Sequence, residues 1–136
     1  MTTVNVNFGA VLVSAIAAMV VGGIWYSPMV FAKPWMQLTG RKDMNPGEGA
    51  VMGYITAFIC VLITAYILAH FVVYAGATTA VQGAVTGIWA WLGFTGTSFL
   101  TTYTFSNRPK KLWAIDALQY LATFIVMGLI LGAWQK

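Results

Sequence analysis

Four stretches of this chain run for about twenty residues or more with almost no charge: about Asn7 to Tyr26, Ala50 to Tyr74, Thr79 to Tyr103 and Leu112 to Trp134. A helix needs roughly 20 mostly apolar residues to cross the hydrocarbon core of a bilayer. Four such stretches leave almost nothing with which to build a soluble domain. Composition agrees: of 136 residues, 60% are hydrophobic and 7% are charged, whereas a soluble domain carries about 25% charged residues. The predicted fold class is all-α integral membrane. One domain, residues 1–136, is expected to form a compact four-transmembrane-helix bundle of two antiparallel helix hairpins with basic cytoplasmic loops.

The connections set the topology. Ala75 to Thr78 is short enough to force the second and third helices into an antiparallel pair. Pro28 and Pro34 end the first helix, because proline removes a backbone donor and clashes with the preceding turn. Lys33, Arg41, Lys42, Arg108, Lys110 and Lys111 lie in the first and third connections, and the remaining basic residue, Lys136, lies at the other face. That bias puts both longer loops in the cytoplasm and both termini outside. The net charge of +4 is thus a topology signal and implies no nucleic-acid partner. The first charged side chain is Lys33 and the apolar run from Val4 to Tyr26 exceeds a signal-peptide core of roughly 7–15 residues, so it reads as a permanent span. The aromatic piece Met29 to Leu38 is expected to lie in the headgroup layer as a short turn or helix, and Asp43 to Gly49 as an exposed turn.

Lipid supplies no hydrophobic drive between helices, so close packing and interhelical hydrogen bonds must hold them. Small residues recur at helical spacing in all four spans: Ala10, Ser14, Ala18 and Gly22; Gly49, Gly53, Thr56, Cys60 and Thr64; Gly83 and Gly87 followed by Ser98, Thr101 and Thr102; Gly128 and Gly132. They are expected to line the inside of the bundle, with a possible second use as a seam for another subunit. Cys60 reads as one of these packing residues.

Asp116 is the side chain most open to a chemical role, since an ionisable group at membrane depth is by default a proton or cation site. Gln119, Tyr120 and Thr123 follow at i+3, i+4 and i+7, a polar stripe that should point into the bundle. A structural reading competes: Asp116 stands in the first turns of its helix, where the dipole favours a carboxylate, and Arg108 or Lys111 is positioned to pair with it. His70, near the outer end of the second span, is a weak candidate ligand for a haem or pigment, against a plain interfacial role. The sequence contains no Gly-x-x-x-x-Gly-Lys, His-Glu-x-x-His or Cys-x-x-Cys, and Ser27 and Ser98 have no histidine to activate them. No catalytic residue, metal or cofactor is expected, and the chain is not read as an enzyme.

The run Gly23-Ile24-Trp25-Tyr26-Ser27-Pro28, with Phe31, Lys33, Trp35 and Met36 after it, resembles the opening signature of a bacterial membrane family, domain of unknown function 1761. Trp91-Leu92-Gly93-Phe94, the turn Arg108 to Lys111, and Asp116 with Tyr120 extend the likeness over nearly the whole chain. The resemblance implies the same four-helix unit in a bacterial inner membrane and marks Trp25, Tyr26, Ser27, Pro28 and Asp116 as family features. It implies no activity. The functional expectation is a non-enzymatic bundle in the lipid bilayer, as a homo-oligomer or an accessory subunit of a larger membrane complex. The alternative is a small oligomeric proton- or cation-coupled transporter or channel using Asp116.

Overall fold

The computed structural model of the chain describes residues 4–42 and 49–135. The turn expected between Asp43 and Gly49 lies, apart from Gly49 itself, outside the described residues. Among these residues every regular element is helical: α1 (Phe8–Trp25), α2 (Ala32–Thr39), α3 (Ala50–Tyr74), α4 (Ala80–Ala90), a π-helical segment (Trp91–Gly96), α5 (Thr97–Phe105) and α6 (Lys110–Ala133). Three of them, α1, α3 and α6, are long and apolar enough to cross a membrane.

The expected third span is a helix in three pieces. The backbone at each junction, Ala90, Trp91, Gly96 and Thr97, stays right-handed helical, so the chain from Ala80 to Phe105 keeps winding while one turn is widened. The wide turn is pinned to α6 from both sides: the Trp91 indole donates to the Ala117 carbonyl at 2.7 Å and the Trp113 indole donates to the Gly96 carbonyl at 3.0 Å. The Trp91 ring also lies against Gly96, where a Cβ would meet it at about 3.0 Å.

Helix α6 is the hub, contacting α1, α2, α3, α4, the π segment and α5. Its closest neighbour is α4, and glycine is the reason. A Cβ on Gly83 would run into the Gly128 carbonyl oxygen, one on Gly87 into the Phe124 carbonyl, and one on Gly132 into the Thr79 carbonyl. The two Gly-xxx-Gly pairs therefore face each other within one chain, which lets the backbones approach and gain dispersion contacts that lipid tails would not match. Beside this seam, Phe124, Met127 and Leu131 of α6 pack with Ala10, Val11 and Ala18 of α1 and with Ala65, Leu68, Ala69 and Val72 of α3.

The other small-residue stripes divide. Ala10, Ser14 and Ala18 are buried as expected. On α3, Gly53, Thr56 and Cys60 face outward instead, and a Cβ on Gly53 would meet nothing within 4 Å. Ser98, Thr101 and Thr102 are also exposed, and the first two donate to carbonyls four residues back, Phe94 and Thr97. A hydroxyl satisfied by its own helix has no need of a neighbouring one, so helical spacing alone did not assign these faces.

The turns follow from cap chemistry. After α3, Gly76 takes φ +71°, the Gly76 amide donates to Val73 and the Ala77 amide to Val72. After α5, Asn107 takes φ 56° and the same pair of bonds forms from Asn107 to Thr104 and from Arg108 to Tyr103. Both are left-handed caps that satisfy orphan carbonyls.

Candidate functional site

The helix of the interfacial piece, α2, begins at Ala32 and packs on α6. It does so because α1 stops at Trp25 and the chain folds back over residues 26–31. Ser27 drives that fold: its hydroxyl donates to the Ile24 carbonyl at 2.7 Å, and its own carbonyl accepts from the amides of Val30 and Ala32. Pro28 follows and cannot extend the helix.

That turn aims three side chains at successive residues of α6. The Trp25 indole donates to the Ile115 carbonyl at 2.9 Å. The Tyr26 hydroxyl donates to Asp116 Oδ1 at 2.6 Å, and the Trp35 indole donates to the same oxygen at 3.1 Å. From the opposite hairpin, the Tyr103 hydroxyl donates to Asp116 Oδ2 at 2.7 Å. With Trp91 on the Ala117 carbonyl, residues 115, 116 and 117 are each held by aromatic N–H or O–H donors. Asp116 is half-buried, and three donors converge on a group that, ionised, can only accept.

The partners differ from those expected. Arg108 does not close on Asp116; its guanidinium lies over the Tyr103 ring, 5.2 Å from the centroid. Arg41 sits in the same way over Trp35, at 5.9 Å. Because Trp35 and Tyr103 meet on one carboxylate, the two basic connections lie at the same end of the bundle.

A family model described as protein of unknown function (DUF1761) matches residues 9–132. The chain belongs to that family. The match spans the Trp25-Tyr26-Ser27-Pro28 run and Asp116, so the DUF1761 signature and the carboxylate it holds are parts of one contact. No curated protein and no solved structure matches the chain.

The polar stripe beyond Asp116 splits in two. Gln119 and Thr123 are buried and bond each other, the amide donating to the hydroxyl at 2.9 Å. The Gln119 amide also lies beside Gly22 of α1, which has no side chain to displace it. Tyr120 instead faces outward, edge-on to Phe99 at 5.3 Å between ring centroids. Successive residues on a helix are about 100° apart, and that rotation separates Tyr120 from Gln119. Ser14, wholly buried on α1, has a hydroxyl without a hydrogen-bond partner.

His70 stands apart from Asp116, on α3. Its Nδ1 lies 2.8 Å from the Tyr66 carbonyl, an oxygen that can only accept, so Nδ1 carries the proton and Nε2 the lone pair. The rings of Tyr66 and Tyr74 flank it at 4.7 and 6.3 Å. Among the described residues no group of three His, Cys, Asp or Glu side chains comes together as a metal site would require. Sequence reading singled out Asp116 but not Trp35, Tyr103, Trp91 or Trp113. The available signal was an excess of indoles and phenols at helix ends on the side of the two basic loops.

Proposed function

We propose that this protein is a non-enzymatic membrane subunit that crosses the bilayer four times and associates with further copies of itself. Residues 80–105 make the fourth crossing, their length divided by the wide π turn. The lysine and arginine bias places the two basic loops in the cytoplasm and both termini outside, in a bacterial inner membrane. In this reading Asp116 is the keystone of the fold, its two oxygens occupied by Tyr26, Trp35 and Tyr103.

One observation carries the association. The half of α3 nearer the basic loops, from Val51 to Ala57, is exposed throughout, and its stripe of Gly53, Thr56 and Cys60 is left unused by the chain's own helices. Small residues at that spacing let a second helix approach closely. Cys60, the only cysteine, stands in the stripe and supplies the test. Mild oxidation of native membranes should yield a covalent dimer that Cys60→Ser abolishes, and intact mass after gentle purification should show the same stoichiometry. A monodisperse monomer with no Cys60-linked dimer would overturn self-association. A stable complex with a different protein would make this chain an accessory subunit.

A second reading draws on the same carboxylate. Two phenols bonded to one half-buried acid form a chain of exchangeable protons, as a proton- or cation-coupled transporter or channel would need. Proton flux in proteoliposomes separates the two: transport requires flux that Asp116→Asn removes, whereas the structural reading expects none from either form.

A further inference from the structure

We propose that the end of the bundle bearing the two basic loops holds the headgroup of an anionic phospholipid, gripped by Arg41 and Arg108. Both arginines are exposed at the surface, yet both are stacked on aromatic rings, at 5.9 Å over Trp35 and 5.2 Å over Tyr103. Those rings are themselves fixed, one to each oxygen of Asp116. A single carboxylate thereby anchors two guanidinium groups that stand far apart in sequence. A guanidinium stacked by its face keeps its planar set of N–H donors for another partner, and that fork matches a phosphate in bidentate fashion. Stacking within about 6 Å also immobilises the group before the ligand arrives.

Charge and depth name the occupant. Lys33, Lys42, Lys110 and Lys111 surround the pair and are exposed. Lys110 and Lys111 open α6, whose first turn contains no acidic residue. Asp43 and Glu48, the acids of that loop, lie outside the described residues, and six cations against these two leave an excess of positive charge. Asp116 is already committed to the aromatic donors. The arginines stand where apolar helix gives way to polar chain, Trp25 closing α1 and Lys110 opening α6, which is the level of lipid phosphates. Basic pockets between helix ends take anionic headgroups in this way.

The experiment is native mass spectrometry of the full chain released from vesicles of equal parts phosphatidylcholine and phosphatidylglycerol. Wild type should retain phosphatidylglycerol in preference to phosphatidylcholine. Arg41→Gln with Arg108→Gln should lower that preference roughly tenfold, while Lys33→Gln with Lys42→Gln, an equal loss of charge, should leave most of it. Arg41→Lys with Arg108→Lys keeps both charges and guards against misfolding; its preference should fall between wild type and the glutamine pair. No preference in wild type, equal losses in the two glutamine pairs, or a lysine pair equal to wild type would each overturn the proposal.

Discussion

Replacing Asp116 by asparagine preserves its shape but turns one of its two acceptor oxygens into an N–H donor. Tyr26 and Trp35 converge on one oxygen and Tyr103 on the other, so at least one aromatic donor then faces a donor. Hydrogen bonds to a charged group contribute about 1.5–3 kcal/mol; Asp116→Asn should therefore lower the unfolding midpoint in mild detergent by an amount in that range. Tyr26→Phe and Tyr103→Phe should each cost less, about 1 kcal/mol, because the other donors remain. An unchanged midpoint for all three variants would remove the structural role. The importance of Asp116 was legible from its depth in an apolar run. Its partners were not, because they lie 90, 81 and 13 residues away and nothing in local spacing connects them. The nearby cations were the natural guess, and they stack on the partners instead.

Between elements, the glycine seam gives a sharper test. Gly83→Ala or Gly128→Ala places a Cβ on a facing backbone carbonyl, and backbone cannot swing aside as a side chain end does. Overpacking of this kind costs about 1–3 kcal/mol, so both variants should melt earlier, while Gly53→Ala on the open face of α3 should not. Equal melting of all three would mean that α4 and α6 do not meet through glycine. The π turn makes a second demand. Deleting one residue between Trp91 and Gly96 would rotate α5 by about 100° relative to α4, carrying Tyr103 off Asp116; the deletion should destabilise as Tyr103→Phe does or more. Helix bounds were readable to within a few residues, because hydrophobicity and proline fix where an apolar run must stop. Which small residues face inward was not readable: the 3.6 spacing of Gly53, Thr56 and Cys60 is the same as that of Ala10, Ser14 and Ala18, and only the neighbours differ. The wide turn has no pattern of its own in Trp91-Leu92-Gly93-Phe94-Thr95-Gly96.

For the molecule as a whole, the two ends are held by different physics. Towards the short turn after α3, aliphatic side chains around Leu68, Val72, Met127 and Leu131 make a dry core; towards the basic loops, indole and phenol hydrogen bonds tie α1, α2, α5 and the π segment to α6. The proposed topology predicts a sidedness that labelling can read. In a Cys60→Ser background, cysteines placed at Gly40 and at Ser106 should react with an impermeant maleimide only from the cytoplasmic side, and one at Thr78 only from the other. Reaction of Gly40 and Ser106 from opposite sides would exclude an even number of crossings between them. The aromatic end also has a practical property. Four of the six tryptophans, Trp25, Trp35, Trp91 and Trp113, spend their indole hydrogens around Gly96 and residues 115–117, while Trp89 and Trp134 look outward. Ultraviolet emission from the unlabelled protein is therefore a built-in optical report on the surroundings of Asp116, and a brominated lipid, which quenches the outward pair first, would isolate it.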